Sequence, residues 1–216
     1  GDVAAVIGET VRCTPFVPPP DYWKRIRAAC DRHGALLILD EIPLGLGRTG
    51  RLFACEHYDV VPDMLVLGKG LGGGVFPWAA LVARESLNVA AHTALGHYTH
   101  EKNPVACAAG LATLDVIRDE KLVDHARELG AYALGRLREM QTRIPEISEI
   151  RGLGLVLGVQ LRHRDGRPAA DVADRTLYAA MRRGLSFKTT MGNILTLTPA
   201  LVLTRAEMDT ALEILE

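Results

Sequence analysis

Apolar positions along the chain follow two rhythms. Short continuous runs at Val3–Ile7, Leu36–Leu39, Met64–Leu67 and Pro77–Ala83 suit strands covered on both faces. Elsewhere apolar residues return at the spacing of an amphipathic helix. A helix is predicted over Tyr22–Arg32, with Trp23, Ile26, Ala29 and Cys30 on one face, Asp21 as its N-cap and His33-Gly34 as its stop. Asn103-Pro104 introduces another from Val105 to about Ile117, in which Ala106, Ala108, Ala109 and Ala112 permit close packing. Strand, helix and strand in this order suit a βαβ unit.

From about Asp119 the pattern changes to longer helices with charged faces, first over Lys121–Met140 and then over Ala170–Arg183, which Gly184 ends. Strands are expected at Ile147–Arg151, Leu155–Leu161 and Ile194–Leu197, and Thr204 caps a final helix. The fold class read from this pattern is α/β. Residues 1–119 form part of a large domain with a mostly parallel sheet, and residues 120–216 form a small α+β C-terminal domain.

Two of the strand-like runs end on residues with chemistry. Leu36–Leu39 closes on Asp40-Glu41, and Met64–Leu67 closes on Gly68-Lys69-Gly70. In parallel α/β sheets ligands sit at the carboxyl ends of strands. An acid and a lysine delivered to that edge, with glycines that let a ligand approach the backbone, form the skeleton of a Schiff-base cofactor site. The glycines of Gly45–Gly50 lack the dinucleotide order, and Gly72–Gly74 lacks the ending of a phosphate-binding P-loop, so both read as tight loops.

Composition narrows the partners. The 216 residues are 48% hydrophobic and 24% charged, with a formal net charge of -1, which leaves no electrostatic case for nucleic acid or an anionic membrane. Cys13, Cys30, Cys55 and Cys107 have no metal-ligand spacing, so no metal site is expected and reduced thiols in a cytoplasmic protein are the default. No apolar run approaches the roughly 18 residues that span a bilayer. Gly1-Asp2 leads directly into a strand-like run, so a fragment of a longer protein is expected.

Several separated motifs, taken together, carry a resemblance. Leu36–Glu41 reads LLILDE, Gly45–Gly50 contains G-x-G-R-T-G, and Pro62–Gly74 reads PDMLVLGKGLGGG. Then follow Thr99-x-x-x-NPVACAAGLATL, RGLGLVLG at Arg151–Gly158, and GN-x-L-x-L-x-PAL at Gly192–Leu201. In this order they resemble the class III family of pyridoxal phosphate-dependent aminotransferases, fold type I, over nearly the whole chain.

The resemblance implies pyridoxal 5'-phosphate as cofactor and Lys69 as the lysine that carries it as a Schiff base and moves the substrate proton. It further implies Asp40 as partner of the pyridine nitrogen, Ile42 beneath the ring, and Thr99 on the cofactor phosphate of the neighbouring subunit of a homodimer. The substrates implied are a small-molecule amine and a keto or aldehyde acceptor. The family's cofactor-phosphate loop and stacking aromatic residue match nothing here and are expected upstream.

Three departures bear on substrate. Pro43 stands where many relatives carry a glutamine toward the ring hydroxyl, and it has neither amide side chain nor backbone donor. After the first strand the chain reads Glu9-Thr10-Val11-Arg12 in place of EP-x-Q, so an acid is kept and a cation replaces the amide. Thr196 stands where relatives that handle an α-carboxylate place an arginine, and a hydroxyl cannot supply a guanidinium's paired donors.

An amine without a standard α-carboxylate is therefore expected, or one held by another cation such as Arg12 or Lys188, with Glu9 as a further contact. Gly96–Asn103 is richer in polar groups than the family's usual segment, which suits a polar or anionic substrate group. A branch of the family comprises ammonia-lyases acting on aminoethylphosphonates, and Pro43 and Thr196 fit that branch as well. A catalytically silent member of the fold is the third reading.

Overall fold

A computed structural model describes residues 2–90, 92–93 and 98–216. The chain packs as two compact units. The first comprises Gly1–Thr10, Pro18–Leu46 and Arg51–Lys121, and the second comprises Val11–Val17, Gly47–Gly50 and Leu122–Glu216.

In the first unit four strands form one sheet: β1 (Ala5–Glu9), β2 (Leu36–Asp40), β3 (Met64–Leu67) and β4 (Ala80–Ala83), in spatial order β1-β2-β3-β4. The first three are parallel and β4 is antiparallel to β3. Leu37, Leu39, Leu65 and Leu67 are buried on one face of β2 and β3, while Leu36, Ile38, Met64 and Val66 on the other face, where both were expected to be covered, are half-buried. Helix α1 (Tyr22–His33) makes the crossover from β1 to β2. It lies on β1 through Trp23, whose indole N–H donates to the Thr10 carbonyl at 2.8 Å. Gly8 makes room for that ring, because a Cβ there would lie 3.0 Å from Trp23 Cη2.

Gly34 ends α1 in the left-handed conformation, donating its N–H to the Cys30 carbonyl. Asp21, expected as the side-chain N-cap, makes no capping hydrogen bond. Its own backbone is already helical, at φ -93 and ψ -7, and its carboxylate turns to Arg25 at 3.7 Å. The strand expected over Pro77–Ala83 is confined to Ala80–Ala83. Pro77 has no N–H for a ladder, and Trp78 packs elsewhere.

Helix α2 (Pro104–Asp119) is capped by Asn103, whose side chain accepts from the Val105 and Ala106 N–H groups. Of its small residues Ala106 is buried while Ala108 and Ala112 are exposed, and the closest approach falls on Gly110.

The second unit has a wholly antiparallel sheet in the order β5-β6-β8-β7, built from β5 (Ile147–Leu153), β6 (Val156–Leu161), β7 (Lys188–Thr190) and β8 (Ile194–Leu197). Helices α3 (Leu122–Arg143), α4 (Ala170–Arg182) and α5 (Arg205–Leu215) supply the rest of its core, in which Leu129, Leu137, Leu157, Leu195 and Leu212 are buried together. Thr204 and Glu207 cap α5 reciprocally, as a capping box.

Gly130 of α3 is the tightest point of this unit, since a Cβ there would lie 2.1 Å from the Gly154 carbonyl oxygen. In the full-length protein Gly130→Ala is expected to destabilise by about 2 kcal/mol, because the overlap with backbone outweighs the better helix propensity of alanine. Urea unfolding measures it, and undiminished stability would show that the β5–β6 turn yields.

Candidate active site

The carboxyl edge of the parallel sheet gathers most of the expected residues of the first unit. Glu9 and Asp40 are register partners across β1 and β2, and Asp40 in turn pairs with Val66 of β3. Partners in register leave a sheet on the same face. Glu9 and Asp40 are both half-buried there. The Ile42 N–H donates to Asp40 Oδ1 at 2.9 Å, which anchors the carboxylate by one oxygen and leaves the other available to a second donor.

Glu41 faces the opposite way and does different work. It is 2% exposed, and its carboxylate accepts from the Thr10 hydroxyl at 2.8 Å, the Ala54 N–H at 2.8 Å and the Cys55 N–H at 2.9 Å. Burial pushes its carboxyl above the ordinary range against the pull of those three donors. The adjacent acids thus divide, Asp40 toward the sheet edge and Glu41 into the interior. Burial likewise drives the Cys55 thiol up to about 12, so Cys55 is no nucleophile.

Lys69 opens a single 3₁₀ turn, Lys69–Gly72, directly after β3. The backbone entering that turn rests on Ile42, since a Cβ at Gly68 would lie 3.3 Å from Ile42 Cγ2. Ile42 therefore links the Asp40 anchor to the Lys69 turn. Lys69 is exposed and has φ 44, in the left-handed region that a side chain disfavours.

Thr99 is exposed in the turn that precedes α2. Gly96 and His97 of the polar segment lie outside the described residues. In the second unit Arg12 is exposed and forms a bridge with Phe16. Lys188, also exposed, is the register partner of Thr196.

Thr196 is 1% exposed, and its hydroxyl is 2.8 Å from that of Thr190. A cavity of about 290 Å³ is lined by Lys188, Thr196, Ser186 and Thr198, with Phe187 and Met208 among its apolar walls. Arg48, from the G-x-G-R-T-G loop, donates to the Pro199 carbonyl at 2.7 Å and is held below its ordinary range by burial. Sequence reading gave Arg48 no role, and the loop motif was its only signal. Among the described residues no cluster of metal-ligating side chains occurs.

An anchored acid and an exposed, strained lysine at one sheet edge place the molecule among α/β proteins that carry their chemistry at strand ends. The model of the family Aminotransferase class-III matches residues 1–216, and the chain belongs to that family. The (R)-1-hydroxy-2-aminoethylphosphonate ammonia-lyase of Vibrio splendidus (strain 12B01) is 44% identical over 219 residues, covering 100% of this chain and 46% of that protein. The ornithine aminotransferase of Geobacillus sp. (strain WCH70) is 41% identical over 197 residues, covering 91% of this chain and 47% of that protein.

Among solved structures, an amine transaminase from an uncultivated Pseudomonas species in the PLP-bound form superposes with a TM-score of 0.91. It is 36% identical and covers 98% of this chain and 50% of that one. The chain spans about half the length of the curated relatives it matches. Membership of this family, with a PLP-bound member of the same fold, implies pyridoxal phosphate. The residues present fit that group: an anchored carboxylate suits a ring nitrogen, an exposed amine suits an aldehyde, and Ile42 offers an apolar surface.

Proposed function

We propose that this chain carries the lysine-bearing part of a pyridoxal phosphate-dependent aminotransferase that moves an amino group from an amine to a keto or aldehyde acceptor. One observation carries the reading: Asp40 and the Lys69 turn stand at the same carboxyl edge of the parallel sheet and are linked through Ile42. When bound, pyridoxal phosphate supplies an aldehyde for amines and a protonated ring that draws electron density from the substrate carbon.

In this reading Asp40 keeps the proton on the ring nitrogen, Ile42 lies beneath the ring, and Lys69 holds the group covalently. Displaced by the incoming amine, the Lys69 amine takes the proton from one substrate atom and returns it to another. Thr99 contacts the cofactor phosphate of the neighbouring subunit in a homodimer, and Glu9, Arg12 and Lys188 contact substrate. A cytoplasmic setting completes this reading. Among the described residues no helix is long and apolar enough to cross a membrane.

A second reading, an ammonia-lyase, draws on Thr196. The part-buried Thr190–Thr196 hydroxyl pair puts no guanidinium at the position where relatives clamp an α-carboxylate. The similarity to a lyase acting on a hydroxylated aminoethylphosphonate points the same way.

The full-length holoenzyme separates the two readings when mixed with ornithine or with 1-hydroxy-2-aminoethylphosphonate alone. A transaminase completes one half-reaction and stalls until a keto acid is added, whereas a lyase releases ammonia continuously. Continuous ammonia release without acceptor would sink the transaminase reading.

A further inference from the structure

The turn that carries Lys69 holds two local violations of good protein chemistry within ten residues. Lys69 occupies the left-handed region at φ 44. Trp78 has its indole N–H buried with no hydrogen-bond partner among the described residues. An unsatisfied buried donor opposes folding and calls for an explanation. Strained backbone persists only where the surroundings over-determine it.

The surroundings do so on both sides of Lys69. Before it, Gly68 lies against Ile42 and against Ala79, whose Cβ would be 3.5 Å from a Cβ at that glycine. After it, the Gly72 carbonyl accepts from both the Val75 and Phe76 N–H groups at 3.1 Å, and Trp78 Cδ1 would lie 3.1 Å from a Cβ at Gly72. The other edge of the same indole lies on α2, where a Cβ at Gly110 would be 2.2 Å from Trp78 Cζ2. Gly73 approaches α2 as well, since a Cβ there would be 2.9 Å from the Thr113 hydroxyl oxygen. The indole is a wedge between the Lys69 turn and α2, and Gly72 and Gly110 are the two faces it occupies.

With both flanks fixed, the residue between them takes the left-handed conformation whatever its side chain. We infer that Trp78 is a positioning residue: wedged between Gly72 and Gly110, it holds the backbone of Lys69 left-handed and so sets where the lysine amine leaves the sheet edge. The inference rests on the reading of Lys69 given above, but its structural half is measurable without cofactor.

The test uses the full-length protein stripped of cofactor, with Lys69→Gly and Lys69→Ala each made beside Trp78 and beside Trp78→Leu. With Trp78 in place, glycine is expected to raise the folding equilibrium constant over alanine by about fivefold, because only glycine is unstrained at positive φ. Beside Trp78→Leu the order reverses, because a relaxed right-handed turn favours alanine. In the holoenzyme with Lys69 intact, Trp78→Leu shifts the pH midpoint of the cofactor's visible absorbance by about half a unit and lowers kcat about tenfold with KM changed less than about twofold. Trp78→Phe, which keeps a ring over Gly110, recovers most of both. A glycine advantage that survives Trp78→Leu, or an absorbance midpoint that does not move, overturns the inference. If Lys69→Ala retained the cofactor's covalent absorbance, the lysine reading would fail instead, whatever Trp78 does.

Discussion

Lys69→Ala in the full-length protein is expected to lower turnover by at least about 10³-fold, because in the proposed reading one side chain supplies both the covalent hold on the cofactor and the group that moves the substrate proton. The loss appears in single-turnover measurements with amine as well as in the steady state, since the proton transfer itself is removed. Lys69→Arg is no rescue: a guanidinium is protonated at any working pH and cannot accept the proton. A small exogenous amine restores part of the rate, as a diffusible base replaces the missing one.

Stability is expected to change little. Lys69 is exposed, and alanine keeps the Cβ that φ 44 disfavours, so the substitution opens no core cavity and relieves no strain, and the cofactor-free variant unfolds no earlier than the parent. A variant that kept its visible cofactor band and more than about a tenth of its rate would remove Lys69 from the chemistry altogether.

Much of this edge was legible because its causes are local. Leu36–Leu39 and Met64–Leu67 read as strands because each is a short continuous apolar run, one face of which is buried and the other half-buried, and the residues that follow them lie at the carboxyl edge. Thr204 read as a cap because it directly precedes the helix it caps, and Glu207, three residues on, completes the box in the structure. Asp21 also directly precedes its helix but failed as a cap, since its own backbone is already helical at φ -93, ψ -7 and the residue three positions on is Lys24, not a glutamate. Lys188–Thr190 forms a strand through pairing with β8 and has no apolar run of its own to announce it.

The unread features are those set by distant partners. Nothing in Asp40-Glu41 says which acid turns inward; the Thr10 hydroxyl, 31 positions away, and the Ala54 and Cys55 amides decide it. Trp78 and Gly110 are likewise unremarkable singly, and only their contact shows that one requires the other.

Glu41→Ala costs about 3 kcal/mol or more, the larger of the stability effects expected here, because it leaves three buried donors unpaired and a cavity beside them. The ionisation behaviour distinguishes this from simple packing. Burial raises the Glu41 carboxyl above its unfolded value, so the folded state binds the proton more tightly. The stabilisation linked to that proton is complete below the unfolded pKa and is lost as pH rises through the folded one. Asp63 has the opposite sign: burial raises it, but the Leu37 N–H together with Arg27 and Arg84 hold it below its ordinary range, so its contribution is lost as pH falls.

Protonated Glu41 keeps both backbone partners, its oxygens accepting from Ala54 and Cys55 while its own proton goes to the Thr10 oxygen. Glutamine cannot, because in either amide orientation its NH₂ meets one of the two backbone N–H groups. Glu41→Gln therefore costs about 1–3 kcal/mol, and the wild-type advantage over it shrinks as pH rises from the ordinary glutamate range through the raised folded value. Other carboxylates cancel in that difference. Urea unfolding of both proteins across that range measures it, and a pH-independent difference would show that Glu41 is not the titrating group. Because Glu41 follows Asp40 directly and ties the exit of β2 to Thr10 and Ala54, the proposed reading expects Glu41→Ala to weaken cofactor retention as well, through displacement of Asp40 and Ile42.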